Sequence, residues 1–237
     1  MDTAPDVVAD QAPPYATVVF DCDSTLSSIE GIDELAGPEL LGELAALTDR
    51  AMDGELPLEA VYGARLERVR PSRESLEQLG MRYIATLLPG VRELVRDLLA
   101  LDKRVLIFSG GLLPAVRALG VDLGLEPIDV FAVDVFHETD GRYRDFDRAS
   151  PLSRAGGKLE LLRRLGGARA LGPVALVGDG ATDREALPEL ARFVAFGGVA
   201  QRPAVHAGCP ARTDLADFAA LRPLLLSDDE SQRLSER

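Results

Sequence analysis

Short, uninterrupted apolar runs recur along the chain, and helical patterns separate them. The clearest runs are Ala16–Phe20, Arg104–Phe108, Val174–Val177 and Phe193–Phe196. Because these runs do not alternate with polar residues, we expect strands that are buried on both faces, as in parallel sheets. The helical patterns that separate or follow them are Val91–Ala100, Leu112–Leu119, Lys158–Leu165 and Asp183–Ala191. Strands that alternate with helices predict an α/β fold with a doubly wound parallel sheet.

The alternation stops between about residues 30 and 88, where the pattern is helical throughout, with breaks at Gly54 and Pro71. A helical insertion directly after the first strand is well placed to cover a site at the strand ends. A second irregular stretch, Val130–Asp147, predicts a hairpin around the turn Asp140-Gly141.

These patterns divide the chain into four parts. The acidic, proline-rich residues 1–14 are predicted to be a disordered leader, since they lack the basic and apolar regions of a signal peptide. Residues 15–29 and 89–226 are predicted to form the core domain, and residues 30–88 an inserted helical cap. Residues 227–237 are predicted to be a polar tail.

Composition and charge narrow the classes of protein. Of the 237 residues, 46% are hydrophobic and 27% charged, which is typical of a packed domain with an insertion. Apolar runs stay well short of the ~20 residues that cross a bilayer. The net charge of −13 argues against nucleic acid or an anionic membrane as partner. The two cysteines, Cys22 and Cys209, are predicted to be reduced thiols of a cytoplasmic protein.

The residues that follow the first run carry the main chemical pattern. Asp21 and Asp23 in Asp21-Cys22-Asp23-Ser24-Thr25 are two apart, so their carboxylates would share one side of a continuing strand. An aspartate is ionised at neutral pH and can attack phosphorus without a base to activate it. A second carboxylate can protonate the leaving alkoxide and later deprotonate the attacking water. The same residue types are also common in an ordinary turn after a strand.

Two later runs also end in polar residues. Ser109 follows one of them, and Asp179 follows another after a single glycine. In a doubly wound sheet, ligands bind outside the carboxyl ends of the strands. We therefore expect Asp21, Ser109 and Asp179 to converge at one edge of the sheet.

The order of these motifs resembles that of the haloacid dehalogenase superfamily of phosphatases. DCDST resembles the first motif, which implies Asp21 as the nucleophile and Asp23 as the acid and base. Ser109 in RVLIFSGG resembles the second motif, a hydroxyl that hydrogen-bonds the phosphoryl group. Gly110 and Gly111 would then let backbone N–H groups approach the anion. The resemblance implies a Rossmann-like core with an inserted cap.

The third and fourth motifs of the superfamily supply a cation and a metal site. Lys158 in AGGKLELL resembles the cation that offsets the charge between nucleophile and phosphate. VGDGATDREAL resembles the fourth motif and implies Mg²⁺ as cofactor, with Asp183 holding the shell around the ion. The implied ligands are the Asp21 side chain, the Asp23 carbonyl and the Asp179 side chain. Thr182 is implied to contact the substrate, although Thr182 and Glu185 also fit a helix capping box.

After residue 14 the resemblance is closer still, to the phosphoserine phosphatase family. FDCDSTLSSIEGIDELAG, AMDGELPLEAVYGARLERVRPSRE, FSGGL, GGK and GDGATDREA carry it. It implies that Glu30 binds the substrate ammonium group, that Arg65 binds its carboxylate as a fork, and that Met52 makes an apolar contact. Each of these three could also be an ordinary residue of a cap helix. Leu58 departs from the pattern, since relatives often have phenylalanine there.

The sequence therefore predicts a cytoplasmic phosphatase that hydrolyses O-phospho-L-serine through an aspartyl-phosphate intermediate, the last step of serine biosynthesis. The expected partner is a small phosphomonoester substrate, and neither nucleic acid nor a membrane is expected to bind. A homodimer is possible. Three alternatives remain. The chain could act on another phosphomonoester such as a phosphosugar, transfer the phosphoryl group to homoserine, or be a non-enzymatic binding or regulatory protein on the same fold.

Overall fold

The computed structural model describes residues 11–37, 40, 42, 46, 47, 50 and 58–236. Met52, Gly54 and residues 1–10 of the predicted leader lie outside these ranges, as does the side chain of Leu58. The described strands are β1 Thr17–Phe20, β2 Arg104–Leu112, β3 Val130–Val133, β4 Val135–His137, β5 Tyr143–Phe146, β6 Val174–Gly178, β7 Arg192–Phe196 and β8 Arg212–Thr213. The described helices are α1 Gly31–Glu34, α2 Leu58–Val69, α3 Arg73–Ala85, α4 Val91–Ala100, α5 Leu113–Asp122, α6 Gly157–Arg164, α7 Gly167–Leu171, α8 Ala181–Arg184, α9 Pro203–His206, α10 Arg222–Leu225 and α11 Asp228–Ser235.

A parallel sheet of six strands forms the centre of the described structure, in the order β3-β2-β1-β6-β7-β8. Neighbouring strands pair in parallel throughout this sheet. Every residue of β1 is buried, and Val19 pairs with Leu106 on one side and Leu176 on the other. The predicted doubly wound α/β fold is confirmed. The strand order reverses between β1 and β6, which is where such sheets bind ligands.

Between β1 and α4, the described insertion is helical and rests on the core through α3. Ser72 begins this helix by accepting a hydrogen bond from the Ser75 N–H at 3.1 Å. Gly80 faces α5, where a Cβ at position 80 would lie 2.9 Å from the Ala118 Cβ. Only glycine allows this close approach of the two helices.

Two predicted boundaries were wrong. Within the stretch predicted as one hairpin, Val130–Val133 is the edge strand of the parallel sheet, and only β4 and β5 form the hairpin. The predicted helix Asp183–Ala191 is a short α8 followed by a separate turn at Leu187–Glu189. Pro188 lies in that turn, and its missing N–H prevents a continuous helix.

Both ends of the described chain are attached to the core. The Gln11 N–H donates to the Ala191 carbonyl at 2.9 Å, so the chain is in contact with the core before residue 14, where the leader was predicted to end. The predicted polar tail contains α11, whose first turn is capped by Ser227 and Glu230. Glu230 also pairs with Lys103 at 2.5 Å, and the Lys103 side chain is only 4% exposed. None of the described helices combines the length and the apolarity that crossing a membrane requires.

We predict that Glu230→Gln lowers the free energy of unfolding by about 2 kcal/mol, because it leaves the buried Lys103 ammonium without an anionic partner. Urea denaturation at neutral pH measures the change. Glu236→Gln, an exposed change next to the same helix, is the matched control and should cost less than about 0.5 kcal/mol. Equal losses in the two variants would contradict the prediction.

Candidate active site

The carboxyl ends of β1, β2 and β6 meet at a cavity, as the sequence predicted. Asp21 follows β1 directly, and its N–H donates to the Val177 carbonyl of β6 at 3.0 Å. The cavity is lined by most of the predicted site residues, namely Asp21, Asp23, Glu30, Arg65, Gly110, Gly111, Lys158, Asp179 and Thr182. Ser109 and Asp183 lie just behind this lining, in hydrogen bonds with Asp23 and Lys158 respectively. The structure therefore brings together every predicted site residue that it describes.

The backbone after β1 makes a kinked turn over Cys22–Leu26, in which Asp23 and Ser24 have non-helical backbone angles. Ser24 in this turn has a φ of +51°, in the left-handed region that few non-glycine residues adopt. Its hydroxyl donates to Glu30 Oε1 at 2.7 Å, which joins the turn to the start of the insertion. The Cys22 thiol is free, and burial together with the Asp23 and Asp21 charges raises its pKa, so it stays protonated. A protonated, buried thiol is poorly suited to act as a nucleophile.

Lys158, at the start of α6, is the central cation of the site. Its ammonium is 2.8 Å from Asp21 Oδ1 and also hydrogen-bonds Asp183 Oδ1. Burial opposes its charge, but the Asp183 and Asp21 carboxylates outweigh that effect and raise its pKa above the ordinary value. Gly178 leaves the space that Asp183 needs, since a Cβ there would lie 2.2 Å from the Asp183 carboxyl carbon.

Three of the buried carboxylates are arranged as a cation site. Oxygen atoms of Asp21, Asp179 and Asp183 lie within 4.8 Å of one another. Asp179 also accepts a hydrogen bond from the Thr25 hydroxyl at 3.2 Å and another from Arg202 Nε at 3.0 Å. Such an all-oxygen donor set fits a hard divalent cation. Burial and the Asp21 charge raise the pKa of Asp179 to about 6 and that of Asp183 to about 8. A bound cation would favour the ionised form of both carboxyls.

Asp23 is held by three donors. Its Oδ1 accepts from the Gly31 N–H at 2.6 Å and from the Tyr83 hydroxyl at 2.6 Å, and its Oδ2 accepts from the Ser109 hydroxyl at 3.1 Å. Burial and the nearby Asp21 charge raise the pKa of Asp23, while these hydrogen bonds oppose the rise. A carboxyl whose pKa is raised by a neighbouring carboxylate is suited to acid and base work.

Residues of the insertion form the opposite wall of the cavity. Arg65 is 4% exposed and pairs with Asp33 at 2.7 Å, while its Nε is buried without a hydrogen-bond partner. The Tyr62 hydroxyl donates to the Gly110 carbonyl at 2.8 Å. Glu30 is 3.8 Å from Arg202, and burial first, then the Asp23 and Asp179 charges, raise its pKa well above the ordinary value. This wall presents one arginine and one acid to a ligand.

Several residues of the site were not predicted from the sequence. Arg202 lies between Asp179 and Glu30 with a side chain only 4% exposed, and Tyr83 reaches Asp23 from α3. Arg202 stands in no motif of its own, and Tyr83 has the pattern of an ordinary core residue of a helix. The predicted capping box at Thr182 was wrong, because Asp183 accepts the hydrogen bond from the Gly180 N–H at 3.0 Å instead.

Comparisons with known proteins agree with this geometry. The family model for haloacid dehalogenase-like hydrolases matches residues 15–190. The phosphoserine phosphatase of Bos taurus is 37% identical over 184 residues, which are 76% of this chain and 81% of the bovine protein. That of Homo sapiens is 35% identical over 207 residues, covering 86% and 90%. The crystal structure of a phosphoserine phosphohydrolase-like protein from Francisella tularensis superposes with a TM-score of 0.79 at 26% identity, covering 89% of this chain and 99% of that one.

We predict that the metal-free protein loses stability as pH rises from about 4 to about 8. Because the pKa of Asp183 is raised to about 8 on folding, the folded state holds a proton that the unfolded chain has released. That contribution is fully present at acid pH below the unfolded value and is lost as pH rises through about 8. With a chelator present, urea denaturation should give a free energy of unfolding lower by about 1–2 kcal/mol at pH ~9 than at pH ~6.

Asp183→Asn is the matched control for this pH dependence, since it replaces the titrating carboxyl with an amide that does not titrate and should flatten the slope. A wild-type stability that stays constant or rises over this range would contradict the prediction. A slope that persists unchanged in Asp183→Asn would assign it to other groups.

Proposed function

Because the chain belongs to the phosphoserine phosphatase family of the haloacid dehalogenase-like hydrolases, we propose that it hydrolyses O-phospho-L-serine to L-serine and phosphate. The observation that carries the proposal is the position of Asp21. Its carboxylate lies beside Lys158 in a cavity whose opposite wall holds Arg65 and Glu30. One end of this cavity suits a phosphoryl group, and the other suits an amino acid.

In the first step Asp21 attacks phosphorus. A bond forms between an Asp21 carboxylate oxygen and phosphorus, while the bond from phosphorus to the serine oxygen breaks. Asp23 gives its proton to that serine oxygen, which leaves as an alcohol. Lys158, the Ser109 hydroxyl and the backbone N–H groups at Gly110 and Gly111 stabilise the phosphoryl oxygens.

In the second step water cleaves the aspartyl-phosphate. Asp23, now ionised, takes a proton from the water as its oxygen attacks phosphorus. Phosphate leaves and the Asp21 carboxylate is restored. One residue therefore acts as acid and then as base, and the upward shift of its pKa favours the proton donation of the first step.

Mg²⁺ is the cofactor that we assign to the carboxylate cluster. Asp21 and Asp179 would hold it through their side chains and Asp23 through its carbonyl, with Asp183 fixing Lys158 beside it. When bound, the ion offsets the charge of the substrate phosphate and of the cluster. Magnesium suits the site because few protein ligands are offered and phosphate oxygens and water can complete its shell.

The insertion supplies the contacts that select the alcohol. We assign the substrate carboxylate to Arg65, whose Nε is buried without a hydrogen-bond partner, and the substrate ammonium to Glu30. Asp33 holds the other side of the Arg65 guanidinium, so the fork is oriented before a ligand arrives. Residues 30–88 thereby act as a substrate-binding cap over the core, and Thr182 contacts the substrate from the core side of the cavity.

We predict that Asp21→Asn abolishes phosphate release from phosphoserine, because the amide that replaces the carboxylate is a very poor nucleophile. Phosphate release with Mg²⁺, measured across phosphoserine, phosphothreonine and common phosphosugars, tests the substrate and the nucleophile together. Far-ultraviolet circular dichroism and a melting curve establish that the variant folds. A folded Asp21→Asn variant with the wild-type rate would exclude the covalent mechanism. Added homoserine should leave the phosphate yield unchanged, since water is the acceptor.

We predict that Arg65→Met raises KM for phosphoserine about 10- to 100-fold, because the substrate carboxylate loses a charge-assisted hydrogen bond in a buried site. Arg68→Met, an exposed change on the same helix, is the matched control and should leave KM unchanged. Steady-state kinetics on both variants, with ethyl phosphate as a substrate that lacks the carboxylate, measure the effect. Equal losses on phosphoserine and ethyl phosphate would contradict a carboxylate contact.

A further inference from the structure

We propose that Tyr83 is a positioning residue for Asp23, and that its hydroxyl determines which oxygen of Asp23 exchanges a proton with the substrate. The proposal rests on the proposed function, in which Asp23 is the acid and base. Tyr83 acts through Asp23 and not on the substrate itself.

The first observation is a direct contact across the two parts of the chain. Tyr83 lies on α3, in the insertion, and its side chain is completely buried. Its hydroxyl donates to Asp23 Oδ1 at 2.6 Å, and the Gly31 N–H donates to the same oxygen at 2.6 Å. Two short donors hold one carboxylate oxygen and thereby fix the plane of the group.

The space around the Tyr83 hydroxyl is provided by glycines. A Cβ at Gly31 would lie 1.9 Å from the Tyr83 hydroxyl oxygen, and one at Gly111 would lie 3.1 Å from it. A side chain at position 31 would therefore collide with the Tyr83 hydroxyl. Glycine is needed there for space and not for its backbone conformation, since its φ is not in the left-handed region. A phenol hydroxyl buried this deeply needs a hydrogen-bond partner, and Asp23 provides it.

These contacts make the two carboxylate oxygens of Asp23 different from each other. Oδ1 is saturated by Tyr83 and Gly31, whereas Oδ2 accepts only the longer hydrogen bond from Ser109, at 3.1 Å, among the described contacts. When a phosphoryl oxygen takes over the Ser109 hydroxyl, Oδ2 is released and faces the substrate. The proton then passes from Oδ2 to the serine oxygen as the bond from that oxygen to phosphorus breaks.

Two substrates with different leaving groups test the proposal. Protonation by Asp23 matters for an alkoxide such as that of serine, but hardly for p-nitrophenolate, which leaves as a stable anion. Because kcat/KM covers only the steps up to the departure of the leaving group, it isolates this protonation. Tyr83→Phe should lower kcat/KM for phosphoserine roughly 10- to 100-fold and leave that for p-nitrophenyl phosphate within about threefold of wild type.

Tyr143→Phe is the matched control, since it also removes a buried tyrosine hydroxyl, one that has no hydrogen-bond partner and does not line the cavity. This variant should leave kcat/KM unchanged for both substrates. A Tyr83→Phe variant that folds and keeps its wild-type kcat/KM for phosphoserine would overturn the proposal. Equal losses on both substrates would also overturn it, because they indicate a general distortion of the site.

Failure of the proposed function would look different. In that case the wild-type protein itself would not release phosphate from phosphoserine, whatever Tyr83→Phe does. The comparison of leaving groups would then be made with the alkyl phosphate that the wild type does hydrolyse. The contrast between that substrate and p-nitrophenyl phosphate decides the role of Tyr83 in the same way.

Discussion

The ion pair between Lys158 and the carboxylates of Asp21 and Asp183 is the interaction on which the site depends. Five acidic side chains face or adjoin one small cavity: Asp21, Asp23, Glu30, Asp179 and Asp183. Burial makes each of these charges costly, and their mutual repulsion adds to the cost. Lys158 and Arg202 offset part of that charge. A divalent cation and the substrate ammonium would offset more of this negative charge. Binding of these ligands would therefore also balance the charge of the site.

This charge balance explains why the site is built from both parts of the chain. The core supplies four carboxylates and Lys158, whereas the insertion supplies hydroxyls, a guanidinium and the Glu30 carboxyl. Tyr62 reaches the Gly110 carbonyl and Tyr83 reaches Asp23, so both tyrosines end on motifs of the core. A buried hydroxyl contributes a hydrogen bond without adding charge. The two tyrosines therefore order the core motifs without adding charge to them.

Much of this arrangement could be predicted from sequence because it depends on local patterns. Unbroken apolar runs predicted the buried strands, and the topology of a parallel sheet predicted that Asp21, Ser109 and Asp179 lie at one edge. Contacts that depend on packing could not be predicted. Tyr83 looks like any apolar position on a helix until α3 is laid across α5, and Arg202 stands outside every motif. The edge strand β3 was mistaken for part of a hairpin because its four residues carry the same apolar pattern in either setting.

The chain has only two lysines, Lys103 and Lys158, and both are buried in ion pairs. Apart from the two histidines, all the other basic side chains are arginines, which keep their charge at any pH that a folded protein tolerates. Amine-directed chemistry, whether acylation, amide cross-linking or isopeptide attachment, thus finds no exposed side-chain amine on the folded protein. An acylating reagent that does modify a side-chain amine would report that the fold had opened at α11 or at the active site.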